Sequence, residues 1–179
     1  MEVTLKTSME GVVVRSWQPE DTLSLSSIAN DADIWRNLPD SFPHPYSLKD
    51  AEYWVDKARK ERPQYNLAIV VNGKVAGSIG MRPGKDVMRF VGEVTVWLGK
   101  RHWGKGVASA ALETYIRYAF NQLGFRYLMA FHFHWGDDAG RVLKKNGFQR
   151  LGTLPNAGNK DREFVDVMLY GLAPKPSRT

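Results

Sequence analysis

The chain has 179 residues, 43% apolar and 25% charged, with 16 Gly, 9 Pro and no Cys, enough for one domain with a sizeable core. That composition excludes a disordered, collagen-like or disulfide-stapled protein, and the absence of Cys excludes a thiol nucleophile, an iron–sulfur cluster and redox switching. Lys and Arg number 25 against 19 Asp and Glu, a balance that suits a phosphate-bearing or acidic partner.

No apolar run approaches the ~20 residues of a membrane helix, and the opening Met-Glu-Val-Thr-Leu-Lys lacks the basic and apolar regions of a signal peptide. The expectation is a soluble, cytoplasmic protein that does not engage a membrane. With no repeat or low-complexity tract, residues 1–179 read as a single domain whose loose tail starts near Pro174. Nucleic acid is disfavoured as a partner, because the positive charge is spread along the chain without a base-stacking aromatic motif.

In chain order, Val12 to Trp17 reads as a first strand. Pro19-Glu20-Asp21 then starts a helix through Leu23, Ile28 and Ala29. After a break at Pro39 to Pro45, Ser47 and Asp50 take capping-box positions for a helix running toward Arg62, and Pro63 ends it. Leu67 to Val71 and Lys74 to Met81 form a hairpin around Asn72-Gly73, a dipeptide suited to a type I′ turn. Pro83-Gly84 turns the chain again into a strand from Phe90 to Leu98, with Glu93, Thr95 and Trp97 alternating against Val94, Val96 and Leu98. Helical spacing returns from Val107 to Leu123, placing Ala108, Leu112, Ile116, Ala119 and Leu123 on one stripe, and Gly124 stops it. Phe125 to Phe133 reads as strand, Asp137 to Lys145 as a short helix, and Phe148 to Leu154 with Phe164 to Leu172 as a closing strand pair. The predicted order βααβββαβαββ is a mixed α/β (α+β) protein with an antiparallel first half.

The most informative segment is Gly99-Lys-Arg-His-Trp-Gly104-Lys-Gly106-Val-Ala-Ser109, joining a strand to a helix. A P-loop would need a hydroxyl residue where Gly106 stands. A dinucleotide fingerprint would follow the first strand of a parallel sheet and need an acid about 20 residues on, and neither condition is met. The third reading takes Gly104 and Gly106 as positions where backbone N–H groups between His102 and Ala108 converge on phosphate at a positive helix start, helped by Arg101 and Lys105. The bland alternative is a turn that merely needs glycine.

Arg101-x-x-Gly104-x-Gly106 resembles the pyrophosphate motif of the GNAT acetyltransferase superfamily. The flanking Gly92 to Gly99, Ala110 to Leu112, Arg141 to Phe148 and Lys160 to Tyr170 resemble its ribosomal-protein-alanine N-acetyltransferase-like (RimJ/RimL-type) branch, so the likeness covers roughly Val12 to Leu172. The resemblance implies a mostly antiparallel sheet, splayed at an acetyl-CoA site and flanked by helices. It also implies an N-acetyltransferase moving acetyl from acetyl-CoA to a primary amine by direct attack in a ternary complex, acting as a monomer or homodimer. The cofactor would pair with backbone at Val96, Trp97 and Leu98 and set its pyrophosphate on Arg101, His102, Trp103, Gly104, Lys105, Gly106, Val107 and Ala108. A protein N-terminus is the first acceptor suggested. Alternatives are a small amine such as an amino acid, polyamine or aminoglycoside, and a non-catalytic acyl-CoA sensor.

Amide formation needs a proton acceptor and donors for the developing oxyanion and departing thiolate. Glu93 matches a glutamate of this branch and is the candidate base; its alternative is a strand carboxylate bonded to a basic neighbour. Aligning on Arg141 puts Gly136 and Ala139 where the branch commonly carries Asn and Ser. That leaves the thiolate to backbone donors, Asp137 or Asp138, or water. Lys144 and Asn146 are either cofactor contacts or a solvated helix face. His132 and His134 share a strand face at a spacing open to a metal or proton relay, but no third ligand is local and no metal is expected. Trp35, His44 and Tyr46, in and beside the stiff loop Pro39 to Tyr46, are candidate acceptor-binding residues, with packing of a Pro-rich crossover the alternative.

Overall fold

The computed structural model describes residues 2–174, so the predicted tail beyond Pro174 lies outside the described residues. The chain runs β1 (Thr4–Lys6), β2 (Val12–Arg15), α1 (Asp21–Ala29), α2 (Ala32–Arg36), α3 (Leu48–Lys60), β3 (Leu67–Val71), β4 (Lys74–Pro83), β5 (Val91–Leu98), α4 (Val107–Asn121), β6 (Tyr127–Phe133), α5 (Asp137–Lys145), β7 (Gln149–Lys160) and β8 (Glu163–Leu172). Two compact units form: Met1–Gly80 with Thr95–Tyr115, and Met81–Val94 with Ile116–Thr179. The chain passes from one to the other inside β4, β5 and α4.

In the first unit β1, β2, β3 and β4 are antiparallel neighbours, and the Gly99 N–H donates to the Ala76 carbonyl at 2.8 Å where β5 follows β4. Asn72 and Gly73 both take positive φ, 48° and 77°, as a type I′ turn requires. The capping box of α3 is complete: Ser47 Oγ accepts from Asp50 N–H, and the Asp50 carboxylate accepts from Ser47 N–H. Asp21, buried at the start of α1, is held by both guanidinium nitrogens of Arg15 at 2.7 and 2.9 Å. Trp17, Leu25, Tyr46, Val55 and Val70 centre the core here, with Phe42 and Trp97 packed on its flank.

Three predicted elements are corrected and two unpredicted ones appear. A strand, β1, precedes the expected first one, and β2 stops at Arg15, with the Ser16 hydroxyl donating to Gln64 Oε1 at 2.5 Å. Leu23 is 70% exposed, so α1 turns Leu25 and Ala29 to the core instead. The one-turn helix α2 was not anticipated; Asp31 caps it by accepting from Asp33 N–H at 2.8 Å. The buried face of α4 is carried by Ala111, Leu112, Tyr115 and Ala119, whereas Ala108 and Ile116 are only half-buried.

In the second unit β5 pairs parallel with β6 from Val91↔Tyr127 to Glu93↔Met129. Next to β6 lies β8 and then β7, both pairings antiparallel. Strand β7 runs six residues beyond the predicted Leu154, through Pro155 and an irregularity between Leu154 and Gly158. Its position at the end of the strand order explains this, since an edge strand tolerates a residue that cannot donate to a ladder. Asp161 and Arg162, φ 53° and 67°, close the β7–β8 hairpin.

Candidate active site

The loop between β5 and α4 begins with Lys100, whose ammonium is ion-paired with Asp31 and Asp33 of the α2 turn. The bond from Asp33 raises the Lys100 pKa, and the same bond lowers that of Asp33. Lys100 is therefore committed within the protein, whereas Arg101 and Lys105 make no ion pair among the described residues. The Arg101 Nε–H donates to His102 Nε2 at 3.0 Å, which puts the neutral imidazole's proton on Nδ1. Burial, and then repulsion from Arg101 and Lys105, holds the His102 pKa below its ordinary value.

Trp103 clasps this loop to the strand: its indole N–H donates to the Leu98 carbonyl at 2.8 Å. Gly104 and Gly106 follow at φ +68° and +79°, a conformation that side-chain-bearing residues rarely adopt. A Cβ at Gly104 would meet nothing within 4 Å, and one at Gly106 only Met9 Cε at 3.6 Å. The N–H groups of Gly104, Lys105 and Gly106 have no acceptor among the described residues, and those of Val107 and Ala108 belong to the unpaired first turn of α4. An open bowl of backbone donors beside two uncommitted cations fits a pyrophosphate.

Strand alternation divides the backbone expected to meet the cofactor. Gly99 N–H points to β4, and the Trp97 carbonyl would lie 2.1 Å from a Cβ on Gly77. Trp97 thus turns its backbone toward β4, while Val96 and Leu98 turn theirs to the other edge. On that edge the Leu98 oxygen is taken by Trp103, leaving, among the described residues, the Leu98 N–H and both polar groups of Val96.

The Trp97 side chain instead meets Phe42 edge-on, centroids 5.4 Å apart, and Phe42 also packs on Tyr46 at 4.9 Å. Trp35 stacks on His44 at 5.4 Å. The three candidate acceptor residues thus fall into two aromatic groups, Trp35 with His44 and Tyr46 with Phe42, and the sequence reading did not single out Phe42. Tyr46 is the most enclosed of them at 6% exposed, and burial, then Asp50, pushes its phenol pKa well up.

Glu93 accepts a 2.6 Å bond from Arg82 at Oε1, with a third of its side chain exposed. Glu93 has its basic neighbour, and its Oε2 has no bond among the described residues. Arg82 was missed, although it and Glu93 flank the Pro83-Gly84 turn in the sequence, a spacing that brings strand residues opposite one another.

Beneath α5, His132 is buried, with Nδ1 2.7 Å from the Phe133 carbonyl and Nε2 3.2 Å from the Tyr170 hydroxyl. A carbonyl can only accept, so Nδ1 carries the proton and Nε2 accepts from Tyr170. Among the described residues no cluster of three metal-ligating side chains occurs. A Cβ at Gly136 would stand 3.1 Å from His132 Nδ1, and one at Gly140 2.9 Å from both Nε2 and the Tyr170 oxygen. The ring's position accounts for glycine at 136, while Ala139 points to solvent.

A mixed sheet whose fifth strand ends in a donor-lined glycine turn opening a helix defines an acyl-CoA-binding transferase. The family description "Acetyltransferase (GNAT) domain" matches residues 12–149, and the chain belongs to that family: it is an acetyl-CoA-dependent N-acetyltransferase. The uncharacterized N-acetyltransferase p20 of Bacillus licheniformis is 30% identical over 166 residues, covering 91% of this chain and 93% of its own. Among solved structures, Mycobacterium smegmatis RimJ in complex with CoA-disulfide superposes with TM-score 0.84 at 17% identity, covering 99% of this chain and 89% of that one. RimL, a ribosomal L7/L12 α-N-protein acetyltransferase in complex with coenzyme A, does so with TM-score 0.82 at 16% identity, over 94% and 97%. At such identities the two structures establish the fold. No helix among the described residues is long and apolar enough to cross a membrane.

Proposed function

We propose that this enzyme acetylates the α-amine of a peptide or protein N-terminus by direct transfer within a ternary complex. The observation that carries the choice of acceptor is the Arg82–Glu93 pair. A lysine-like amine, with pKa ~10.4, costs about 4–5 kcal/mol to deprotonate at neutral pH, whereas an α-amine near ~8 costs about 1 kcal/mol. A carboxylate with one oxygen already engaged suits the smaller task, relayed through water from Oε2. RimL, described as an α-N-protein acetyltransferase, is one protein of this fold with such an acceptor.

Bound acetyl-CoA supplies the acyl group as a thioester. Gly104 to Ala108 and the cations of Arg101 and Lys105 hold its pyrophosphate, and Val96 and Leu98 offer backbone to its pantetheine arm. Trp35, His44 and Tyr46 wall the acceptor, and burial keeps the Tyr46 phenol protonated. With Gly136 and Ala139 lacking polar side chains, proton return to the departing thiolate falls to water.

The test is thiol release from acetyl-CoA against N-terminal peptides with blocked lysines, set beside amino acids, polyamines and aminoglycosides. Release with free α-amine peptides, lost when the α-amine is blocked, supports the reading. Release with a small amine alone overturns it.

A further inference from the structure

The β6–β8–β7 register sets Ala130 opposite Tyr170, His132 opposite Met168 and Arg150 opposite Tyr170. His132, Met168, Tyr170 and Arg150 therefore share one sheet face, and α5 lies over it. Gly140 lets the helix settle close to the His132 ring, while Arg141 and Lys144, on the same side of α5, stand at the edge of the space left between helix and strands. That space is a cavity of about 300 Å³, to which His134 and Asp137 also contribute. It shares no residue with the 99–108 loop.

Its charge is poorly matched from within. The Arg150 guanidinium donates only to neutral atoms, Thr153 Oγ1 at 2.7 Å and Met168 Sδ at 3.2 Å. Lys144 has no side-chain hydrogen bond or ion pair to any described residue. Arg141 is paired with Asp138 and keeps further N–H donors. His134 adds a ring set edge-on to Trp135. Asp137 is the one carboxylate lining the cavity. The floor, by contrast, is closed, because His132 engages both ring nitrogens on Phe133 and Tyr170.

We propose that this cavity binds the phosphate group of a small, hydroxyl-bearing phosphomonoester. A planar guanidinium, an ammonium and an imidazole N–H aimed at one space match the several oxygens of a phosphate dianion, which accepts from all of them at once. Asp137 repels a second anionic group and accepts from a hydroxyl, so the occupant carries its negative charge at one end. The volume holds a phosphate with a sugar-sized remainder.

The experiment is a ¹H–¹⁵N NMR titration of the full chain with inorganic phosphate and with ribose 5-phosphate, at constant ionic strength set by chloride. Saturable shifts of the Arg150 side-chain N–H and the Gly140 amide are expected, tighter for ribose 5-phosphate. Arg150→Gln and Lys144→Gln should each weaken them about tenfold. Both side chains are exposed, and unchanged circular dichroism establishes that the variants fold. Shifts that rise linearly with anion, or that survive both substitutions, overturn the site. Calorimetry on Arg150→Gln with acetyl-CoA is the second arm: unchanged affinity supports a distinct site, and a parallel tenfold loss overturns it by assigning these cations to the cofactor.

Discussion

The imidazole of His132 faces the Tyr170 hydroxyl at 3.2 Å across the β6–β8 pair, and both atoms lie against the backbone of Gly140 in α5. A methyl group on Gly140 would stand 2.9 Å from each of them. Neither partner is the free end of a flexible chain, so Gly140→Ala must lift the helix or break the bond. The expected cost is about 1–3 kcal/mol, seen as a fall in Tm. Ala139→Ser, on the exposed side of the same helix, should stay within about 0.5 kcal/mol of the parent. Equal Tm values for the two variants would show that α5 does not rest on this pair.

The Trp103 clasp holds the loop between β5 and α4 to the end of β5 through one bond to Leu98. Trp103→Phe keeps the ring and removes the donor. Loss of about 1 kcal/mol is expected from such a bond, appearing as about a fivefold weaker acetyl-CoA affinity in calorimetry, with little change in Tm because Trp103 is 45% exposed. Unchanged affinity would mean that the loop keeps its shape without the clasp.

Gly104 tests the bowl itself. Nothing in the protein opposes a side chain there, so Gly104→Val costs mainly the strain of positive φ, roughly 1–2 kcal/mol. It also fills the space in front of the unpaired N–H groups. Acetyl-CoA binding should be lost while the far-ultraviolet spectrum is retained, and persistent affinity would remove the pyrophosphate assignment.

His102 gives the loop a pH dependence whose sign is fixed by its surroundings. Its pKa lies below the ordinary 6.5, from burial first and then from Arg101 and Lys105. The folded chain therefore holds fewer protons than the unfolded one just below 6.5. The stability this group contributes is full above that pH and is lost as pH falls through the folded value. Phosphate oxygens reverse the electrostatics and favour the imidazolium. Binding of acetyl-CoA in that window should take up a proton and tighten as pH falls, measured by calorimetry in two buffers of different ionisation enthalpy. His102→Gln should remove its share of the uptake; identical proton counts for variant and parent would exclude His102.

What the sequence made legible was local in cause. Asn72-Gly73, Ser47 with Asp50, and Gly104 with Gly106 each impose their geometry within four residues, and each appears where the pattern puts it. The reading failed where the cause lay elsewhere in the chain. Strand β7 passes Pro155 because of its place at the sheet edge. The glycine at 136 reads as a missing polar group until His132 is seen lying against it, and the partner of Glu93 appears only when two strands are laid side by side.

That partnership yields the last prediction. If Glu93 relays the acceptor's proton, Glu93→Gln lowers kcat by roughly 10²–10⁴ and leaves acetyl-CoA affinity unchanged. If the carboxylate serves only Arg82, the variant keeps kcat and loses no more than the pair contributes to stability. With the Arg82 and Glu93 side chains 68% and 33% exposed, that contribution is at most about 1 kcal/mol. Arg82→Ala separates the cases further, because it frees Oε1 without removing the carboxylate. Under the relay the Arg82→Ala variant stays active and shifts its pH–rate profile, whereas a structural pair predicts the same small Tm loss from either substitution and an unshifted profile. Steady-state rates across pH for the parent and both variants decide between them.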